Sequence, residues 1–114
     1  MFTKSILQTL NKNSIVFALA NPDPEVLPEN AKKWGVKIFA TGRSDYPNQI
    51  NNALVFPGFF KGLLESGKTK ITDNMKVKAA YALASLINKP TANKFIPSIF
   101  DKRVVPTIAK SLSG

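Results

Sequence analysis

The stretch IVFALANPDP, residues 15–24, decides the fold. Its first six residues are apolar without alternation, which is typical of a central strand in a parallel sheet that helices cover on both faces. Two prolines cannot continue a central strand, so the strand is expected to end at or near Ala20. The sequence therefore predicts a buried strand with a polar loop at its carboxyl end.

A second strand is expected after a short crossover. Residues 28–33 begin with Pro28 and precede Gly35, the pattern of a short helix. Residues 36–40 are then expected to form the second strand, and a strand, a helix and a strand favour a right-handed parallel crossover. Because two buried strands do not form a stable sheet alone, we expect neighbouring strands from another copy or a larger protein. The predicted class is α/β.

Helices are expected along most of the remaining chain. Their predicted ranges are residues 2–10, residues 51–66 in two pieces broken near Pro57-Gly58, residues 72–87, and residues 104–112. The helix of residues 72–87 is expected to pack through an apolar stripe, with Leu83 alongside it. The stripe consists of Val77, Ala80, Ala84 and Ile87. Residues 91–100 are expected to be irregular, with their apolar side chains, Phe100 included, on the core.

The amino-acid composition limits the kinds of functional site that the chain can contain. The chain has 114 residues, enough for one small domain, and 44% of them are hydrophobic. It contains no Cys and no His, which excludes disulfides, thiolate metal sites and the commonest general base. The net charge is +9, but the lysines are scattered and only two arginines occur, which disfavours a dedicated nucleic-acid surface. Without a long apolar run or a signal-peptide pattern, we expect a soluble, cytoplasmic protein.

Side-chain amides concentrate where a ligand is expected. Parallel strands deliver their following loops to one edge of the sheet, and open α/β sheets bind ligands at that edge. Asn21 follows the first strand, and Asn51 and Asn52 lie in the polar-to-apolar stretch of residues 42–58 that follows the second. An amide both donates and accepts hydrogen bonds but abstracts no proton near neutral pH, so these residues are predicted to position a ligand. Turn formation at Asn21 and helix capping by Asn51 or Asn52 are the alternatives.

Several separated motifs resemble one family. The sequence resembles the NAD(P)-binding domain of bacterial-type malic enzymes over nearly its whole length. The motifs that carry the likeness, in order, are IVFALANPDPE at residues 15–25, ATGRSDYPNQ at residues 40–49, NN at residues 51–52, FPG at residues 56–58, Met75, AA at residues 79–80, ALA at residues 82–84, and IP and FD at residues 96–97 and 100–101.

This resemblance implies a fold, a reaction and a set of ligands. The fold would be a partial Rossmann-like three-layer domain with a short parallel sheet flanked by helices. The reaction would be oxidative decarboxylation of L-malate to pyruvate and CO2 with NAD or NADP, assisted by Mg²⁺ or Mn²⁺. The resemblance assigns contacts with malate and the nicotinamide side of the cofactor to Asn21. It assigns a second contact, with malate or the cofactor, to Asn51 and Asn52. Which of the two cofactors is used cannot be read from the residues.

Other parts of the family pattern are absent from the sequence. The glycines give no G-x-G-x-x-G spacing, and the seven acidic residues form no adjacent ligand pair, so no catalytic or metal-binding residue is assigned. Residues 1–114 are therefore interpreted as the C-terminal part of a malic enzyme NAD(P)-binding domain, inactive alone and completed by an N-terminal part or by oligomerisation. The alternatives are a standalone binding or oligomerisation module and nonspecific nucleic-acid binding through the lysines.

Overall fold

The computed structural model describes residues 1–113, which form two compact units. The first unit comprises residues 1–50 together with residues 91–94, and the second comprises residues 51–90 and the chain from Phe95 onward. The first unit contains the sheet, and the second is helical. Among the described residues, no helix is long and apolar enough to cross a membrane.

The first unit is built on two parallel strands. Strand β1 (Ile15–Ala18) pairs with β2 (Ile38–Thr41), with Ile15 opposite Ile38 and Ala18 opposite Thr41. Helix α1 (Lys4–Leu7) precedes β1, and α2 (Pro28–Lys33) connects the strands. Pro28 occupies the first turn of α2, and Gly35 adopts a φ of 97° after its end, which is the left-handed conformation that glycine permits. The predicted α/β class and parallel crossover are confirmed.

Only one face of β1 is covered. Val16 and Ala18 lie in a core that also contains Leu7, Val26, Ala31 and Val36. On the other face Ile15 and Phe17 are 62% and 47% exposed, so the predicted burial of both faces is wrong for the described residues. The physical reason is that helices α1 and α2 pack on a single face of the two-stranded sheet. An unalternating apolar strand is thus left with one apolar face in water.

The second unit consists of a 3₁₀ turn and three helices. The turn spans Asn52–Leu54, and the helices are α3 (Phe56–Ser66), α4 (Asp73–Ser85) and α5 (Val104–Ser111). The predicted break in residues 51–66 is present, but it lies at Val55, and Pro57 belongs to the first turn of α3. Proline is tolerated there because first-turn N–H groups have no intrahelical acceptor. Gly67 ends α3 in the left-handed conformation, with φ 66°.

Helices α3 and α5 pack closely through two glycines. A Cβ atom at Gly58 would lie 2.9 Å from both Ile108 Cβ and the Val105 carbonyl oxygen. A Cβ atom at Gly62 would lie 2.7 Å from the Ala109 carbonyl oxygen. Only hydrogen atoms fit at these positions, so the glycines allow the backbones to approach. The core around this crossing is formed by Leu54, Phe59, Met75, Ala79, Val104, Ile108 and Leu112.

Helix α4 packs through a different face from the predicted one. Met75 and Ala79 are buried, and Leu83 and Leu86 are partly buried against the same core. The predicted stripe is wrong because Val77 is 52% exposed and its alanines at positions 80 and 84 are exposed too. Alanines and apolar residues occur on several sides of this helix, so helical spacing alone does not fix which side faces inward. Phe100, which was expected on the core, is 85% exposed.

Candidate functional site

The site in the first unit lies at the carboxyl ends of β1 and β2. The paired residues Ala18 and Thr41 are the last residues of the two strands, and both are fully buried. The chain continues from Ala18 to Asn21 and from Thr41 to Gly42, so two loops start side by side. This is the edge of the sheet at which the sequence predicted a ligand.

Asn21 lies against the second loop. A Cβ atom built on Gly42 would lie 3.2 Å from both the Oδ1 and the Nδ2 atoms of Asn21, so the amide fills the space that a side chain at position 42 would need. Asn21 is solvent-exposed, and its peptide bond to Pro22 is cis. No hydrogen bond to the Asn21 amide is found among residues 1–113. Its donors and acceptor are therefore available to a ligand.

The backbone before Asn21 is held by Glu25. The Ala20 N–H group donates a 2.8 Å hydrogen bond to Oε1 of the Glu25 carboxylate. Glu25 is partly buried, and its second oxygen, Oε2, is buried without a protein partner in the described chain. The carboxylate thus closes the loop of residues 20–25 through one oxygen.

The loop after β2 folds back onto the strand from which it emerges. The Ile50 N–H group donates to the Thr41 carbonyl oxygen at 2.9 Å, and the Gln49 amide donates to the Gly42 carbonyl oxygen at 3.1 Å. Asn48 adopts a φ of 59° at the turn, a conformation that asparagine accepts more readily than most residues. Within the stretch of residues 42–58, the Gln49 amide therefore stabilises the loop itself.

Two polar pairs cover the outside of this loop. The Arg43 guanidinium donates to both carboxylate oxygens of Asp45, at 2.9 and 2.6 Å, and lies 5.2 Å from the centre of the Tyr46 ring. The Tyr46 hydroxyl donates a 2.8 Å hydrogen bond to Glu29 on α2. This second pair is not predictable from the sequence, because its members are 17 positions apart and no helical or strand spacing relates them.

These pairs fix the charge states of their members. The hydrogen bond from Arg43 lowers the pKa of Asp45, and the same bond raises the pKa of Arg43. A backbone hydrogen bond and then the Tyr46 hydroxyl lower the pKa of Glu29, while the Glu29 hydrogen bond raises the pKa of Tyr46. All four shifts move away from neutrality. These groups therefore hold their protons or charges near neutral pH and are unsuited to general acid–base catalysis.

The other two predicted residues belong to the second unit. The Asn51 side-chain oxygen accepts a 2.9 Å hydrogen bond from the Ala53 N–H group and caps the 3₁₀ turn. Its NH₂ group is left to other partners. Asn52 is exposed, and among residues 1–113 no hydrogen bond to its side-chain amide is found. The capping alternative therefore holds for Asn51, and Asn52 presents a whole amide to solvent.

Each unit also contains a cleft. The first unit contains a cleft of about 610 Å³ beside α2 and the Tyr46-Pro47-Asn48 turn, and the second contains one of about 470 Å³ beside the start of α4. Neither is lined by Asn21, Asn51 or Asn52. In the part of the chain that the structure describes, no three acidic residues come together as a metal site.

Comparison with known proteins identifies the family. Residues 1–111 match the family model described as malic enzyme, NAD binding domain. The bifunctional malic/malolactic enzyme of Bacillus subtilis is 47% identical over 113 residues, which is 97% of this chain and 28% of that protein. The NAD-dependent malic enzyme of Geobacillus stearothermophilus is 44% identical over 108 residues, 93% of this chain and 22% of that protein.

Solved structures agree with this match. The malic enzyme of Pyrococcus horikoshii superposes with a TM-score of 0.94 and 48% identity over 96% of this chain and 25% of its own. The NAD-dependent malic enzyme of Thermotoga maritima gives a TM-score of 0.92 and 41% identity over 98% of this chain and 29% of its own. They confirm the predicted Rossmann-like α/β class. The chain spans about a quarter of the length of these relatives, and it belongs to the malic enzyme family as a region of its NAD-binding domain.

Proposed function

We propose that this chain supplies one wall of the nicotinamide and malate site of an enzyme that oxidatively decarboxylates L-malate. The reaction transfers a hydride from C2 of malate to NAD⁺ or NADP⁺ as the C2 hydroxyl loses its proton. The carboxylate on C3 then leaves as CO2, and protonation of C3 gives pyruvate. The family match over residues 1–111 supports the reaction class. Relatives named as NAD-dependent and as NADP-dependent enzymes support either cofactor.

The observation that carries the proposal is the Asn21 amide, which lies at the carboxyl edge of the parallel sheet and has no hydrogen-bond partner among residues 1–113. A nicotinamide carboxamide or a malate hydroxyl both donates and accepts hydrogen bonds, and an amide matches either of them. Asn52 offers the same chemistry, and Asn51 offers its remaining NH₂ group. We assign positioning to these three residues, because holding the reacting groups in line lowers the barrier without any proton transfer by the amide.

We propose that the ligands of the divalent metal lie outside the described residues. Mg²⁺ and Mn²⁺ prefer carboxylate oxygens, and the described residues bring no three acidic groups together. When bound, such an ion would polarise the carbonyl group that forms on malate. We assign no ligand of it to this chain. We propose accordingly that the 114-residue chain alone does not turn over malate, which a steady-state assay with malate, Mn²⁺ and NAD⁺ or NADP⁺ checks; turnover by the pure chain would contradict it.

A chimaera tests the proposed function directly. In the Bacillus subtilis bifunctional enzyme, the matched segment is replaced by residues 1–111 of this chain. The reduction of NAD⁺ or NADP⁺ in the presence of malate is then measured. We expect the chimaera to be active. Asn21→Ala is expected to lower its kcat/KM roughly tenfold, because one or two neutral hydrogen bonds to the ligand are lost. Ser44→Ala, an exposed residue of the same loop, is the control. A folded chimaera in which Asn21→Ala behaves like Ser44→Ala would refute the assignment of Asn21.

A second candidate function is self-association. Ile15 and Phe17 are 62% and 47% exposed on the uncovered face of the sheet, and apolar strand faces are usually covered in parallel sheets. A module that pairs with a second copy through this face would bury them. Sedimentation equilibrium distinguishes the two proposals: a monomer at all concentrations eliminates the module, and a dimer that Phe17→Lys dissociates supports it.

A further inference from the structure

We propose that Gly42 and Glu25 are positioning residues for Asn21: Gly42 leaves the space in which the amide lies, and Glu25 holds the backbone that carries it. The contribution to ligand binding rests on the proposed function of Asn21. The geometric part of the proposal stands on the first unit alone.

Gly42 is needed for its missing side chain and not for its backbone conformation. Its φ lies outside the left-handed region, in contrast to Gly35 and Gly67, so an L-residue can adopt this backbone. A methyl group at position 42, however, would sit 3.2 Å from two atoms of the Asn21 amide. The Gly42 carbonyl oxygen is held at 3.1 Å by Gln49, and Asn21 is exposed to solvent. The exposed side-chain amide of Asn21 is therefore the group that we expect to move.

Glu25 acts on the residue before Asn21. Its Oε1 atom accepts a 2.8 Å hydrogen bond from the N–H group of Ala20, five residues earlier in the chain. Removing the carboxylate would release that N–H group and loosen the peptide that leads into Asn21. Glutamine has the same shape and keeps one acceptor oxygen, so Glu25→Gln is expected to retain the bond that Glu25→Ala removes.

The first experiment reads the position of the amide without any ligand. NMR spectra of the ¹⁵N-labelled 114-residue chain report the side-chain amide resonances of Asn21 and Asn52. These resonances are compared between the wild type and the variants Gly42→Ala, Glu25→Ala and Glu25→Gln, with Ser44→Ala as the control. We expect Gly42→Ala and Glu25→Ala to shift the Asn21 resonances, with Asn52 unchanged and the backbone spectrum retained. Glu25→Gln is expected to restore the wild-type shift. Asn21 resonances that stay in place in Gly42→Ala overturn the inference whatever the ligand does.

The second experiment asks whether the position matters for the reaction. In the chimaera described above, Gly42→Ala is expected to lower kcat/KM about threefold to tenfold, the size of a weakened hydrogen bond. In an Asn21→Ala background the same change is expected to have no further effect, because its target is already absent. Equal losses in both backgrounds overturn the inference and leave the function of Asn21 standing. If the chimaera is active and Asn21→Ala leaves its kcat/KM unchanged, the proposed function of Asn21 is refuted. The amide resonances then still decide whether Gly42 and Glu25 position Asn21.

Discussion

The Tyr46 hydroxyl donates a 2.8 Å hydrogen bond to the Glu29 carboxylate and so joins the loop after β2 to helix α2. The bond needs the phenol proton, and it is strongest when the carboxylate is ionised. The pKa of Tyr46 is raised chiefly by this bond, and the pKa of Glu29 is lowered by a backbone hydrogen bond and then by Tyr46. Its contribution to stability is therefore present at intermediate pH and is lost at both ends of the pH scale.

The signs follow from linkage. Because the pKa of Tyr46 is higher in the folded than in the unfolded chain, the stabilisation holds below the ordinary pKa of tyrosine and is lost as the pH rises through the folded value. Because the pKa of Glu29 is lower in the folded chain, its part is lost as the pH falls through the folded value. In a Tyr81→Phe background, Tyr46 is the remaining tyrosine, and its ionisation can be followed by ultraviolet absorbance. We expect Glu29→Gln to lower that pKa; an unchanged titration would contradict the bond.

The crossing of α3 and α5 should tolerate no side chain at Gly62. Alanine favours a helix over glycine by about 1 kcal/mol, but its methyl group would lie 2.7 Å from the Ala109 carbonyl oxygen. The backbone of α5 cannot rotate away as a side chain does. The steric cost of overpacking, roughly 1–3 kcal/mol, therefore exceeds the gain in helix propensity. We expect Gly62→Ala to lower the free energy of unfolding in urea, and Lys61→Ala, an exposed neighbour, to change it little. A Gly62→Ala variant as stable as wild type would show that the helices separate easily.

The start of α4 depends on one hydroxyl group. Thr72 Oγ1 accepts the Met75 N–H at 3.3 Å and caps the helix. Thr72→Ala is expected to reduce the free energy of unfolding by about 1 kcal/mol, and Thr72→Ser to retain most of it, because serine keeps the acceptor. Urea denaturation monitored by circular dichroism measures both. Equal losses for the two variants would assign the effect to the methyl group and not to the cap.

The elements were predicted where local chemistry is decisive. Pro28 and Gly35 bracket α2, Gly67 ends α3, and Thr72 caps α4, each for a reason that involves only neighbouring residues. The inward face of α4 was missed because α5, the helix on which it packs, begins only at Val104. The apolar run of β1 correctly predicted a parallel strand.

The same limit applies to the candidate site. Asn21, Asn51 and Asn52 are predicted as ligand-positioning residues from residue type and from a family resemblance, since amides after parallel strands point to ligand positioning. The roles of Gly42 and Glu25 were not found, because they depend on a 3.2 Å approach and a single hydrogen bond to a backbone N–H group. Neither leaves a pattern in the sequence. The Glu29–Tyr46 pair was missed for the same reason.

The adjacent residues Asn51 and Asn52 should separate stability from ligand binding. Asn51 caps the 3₁₀ turn through its side-chain oxygen, while Asn52 makes no side-chain hydrogen bond among residues 1–113. We therefore expect Asn51→Ala to lower the free energy of unfolding of the 114-residue chain by about 1 kcal/mol, the usual size of a lost cap. Asn52→Ala is expected to leave it within roughly 0.5 kcal/mol, as surface substitutions do.

Asn51→Asp supplies the matched control, because aspartate keeps the capping oxygen but loses the NH₂ donor. If the donor of Asn51 contacts the ligand, Asn51→Asp retains stability and weakens malate or cofactor binding in the chimaera, which KM measurements report. Asn52→Ala is expected to raise KM without loss of stability. If Asn51→Asp matches wild type in both measurements, Asn51 serves only as a cap, and Asn52 carries the contact on this segment alone.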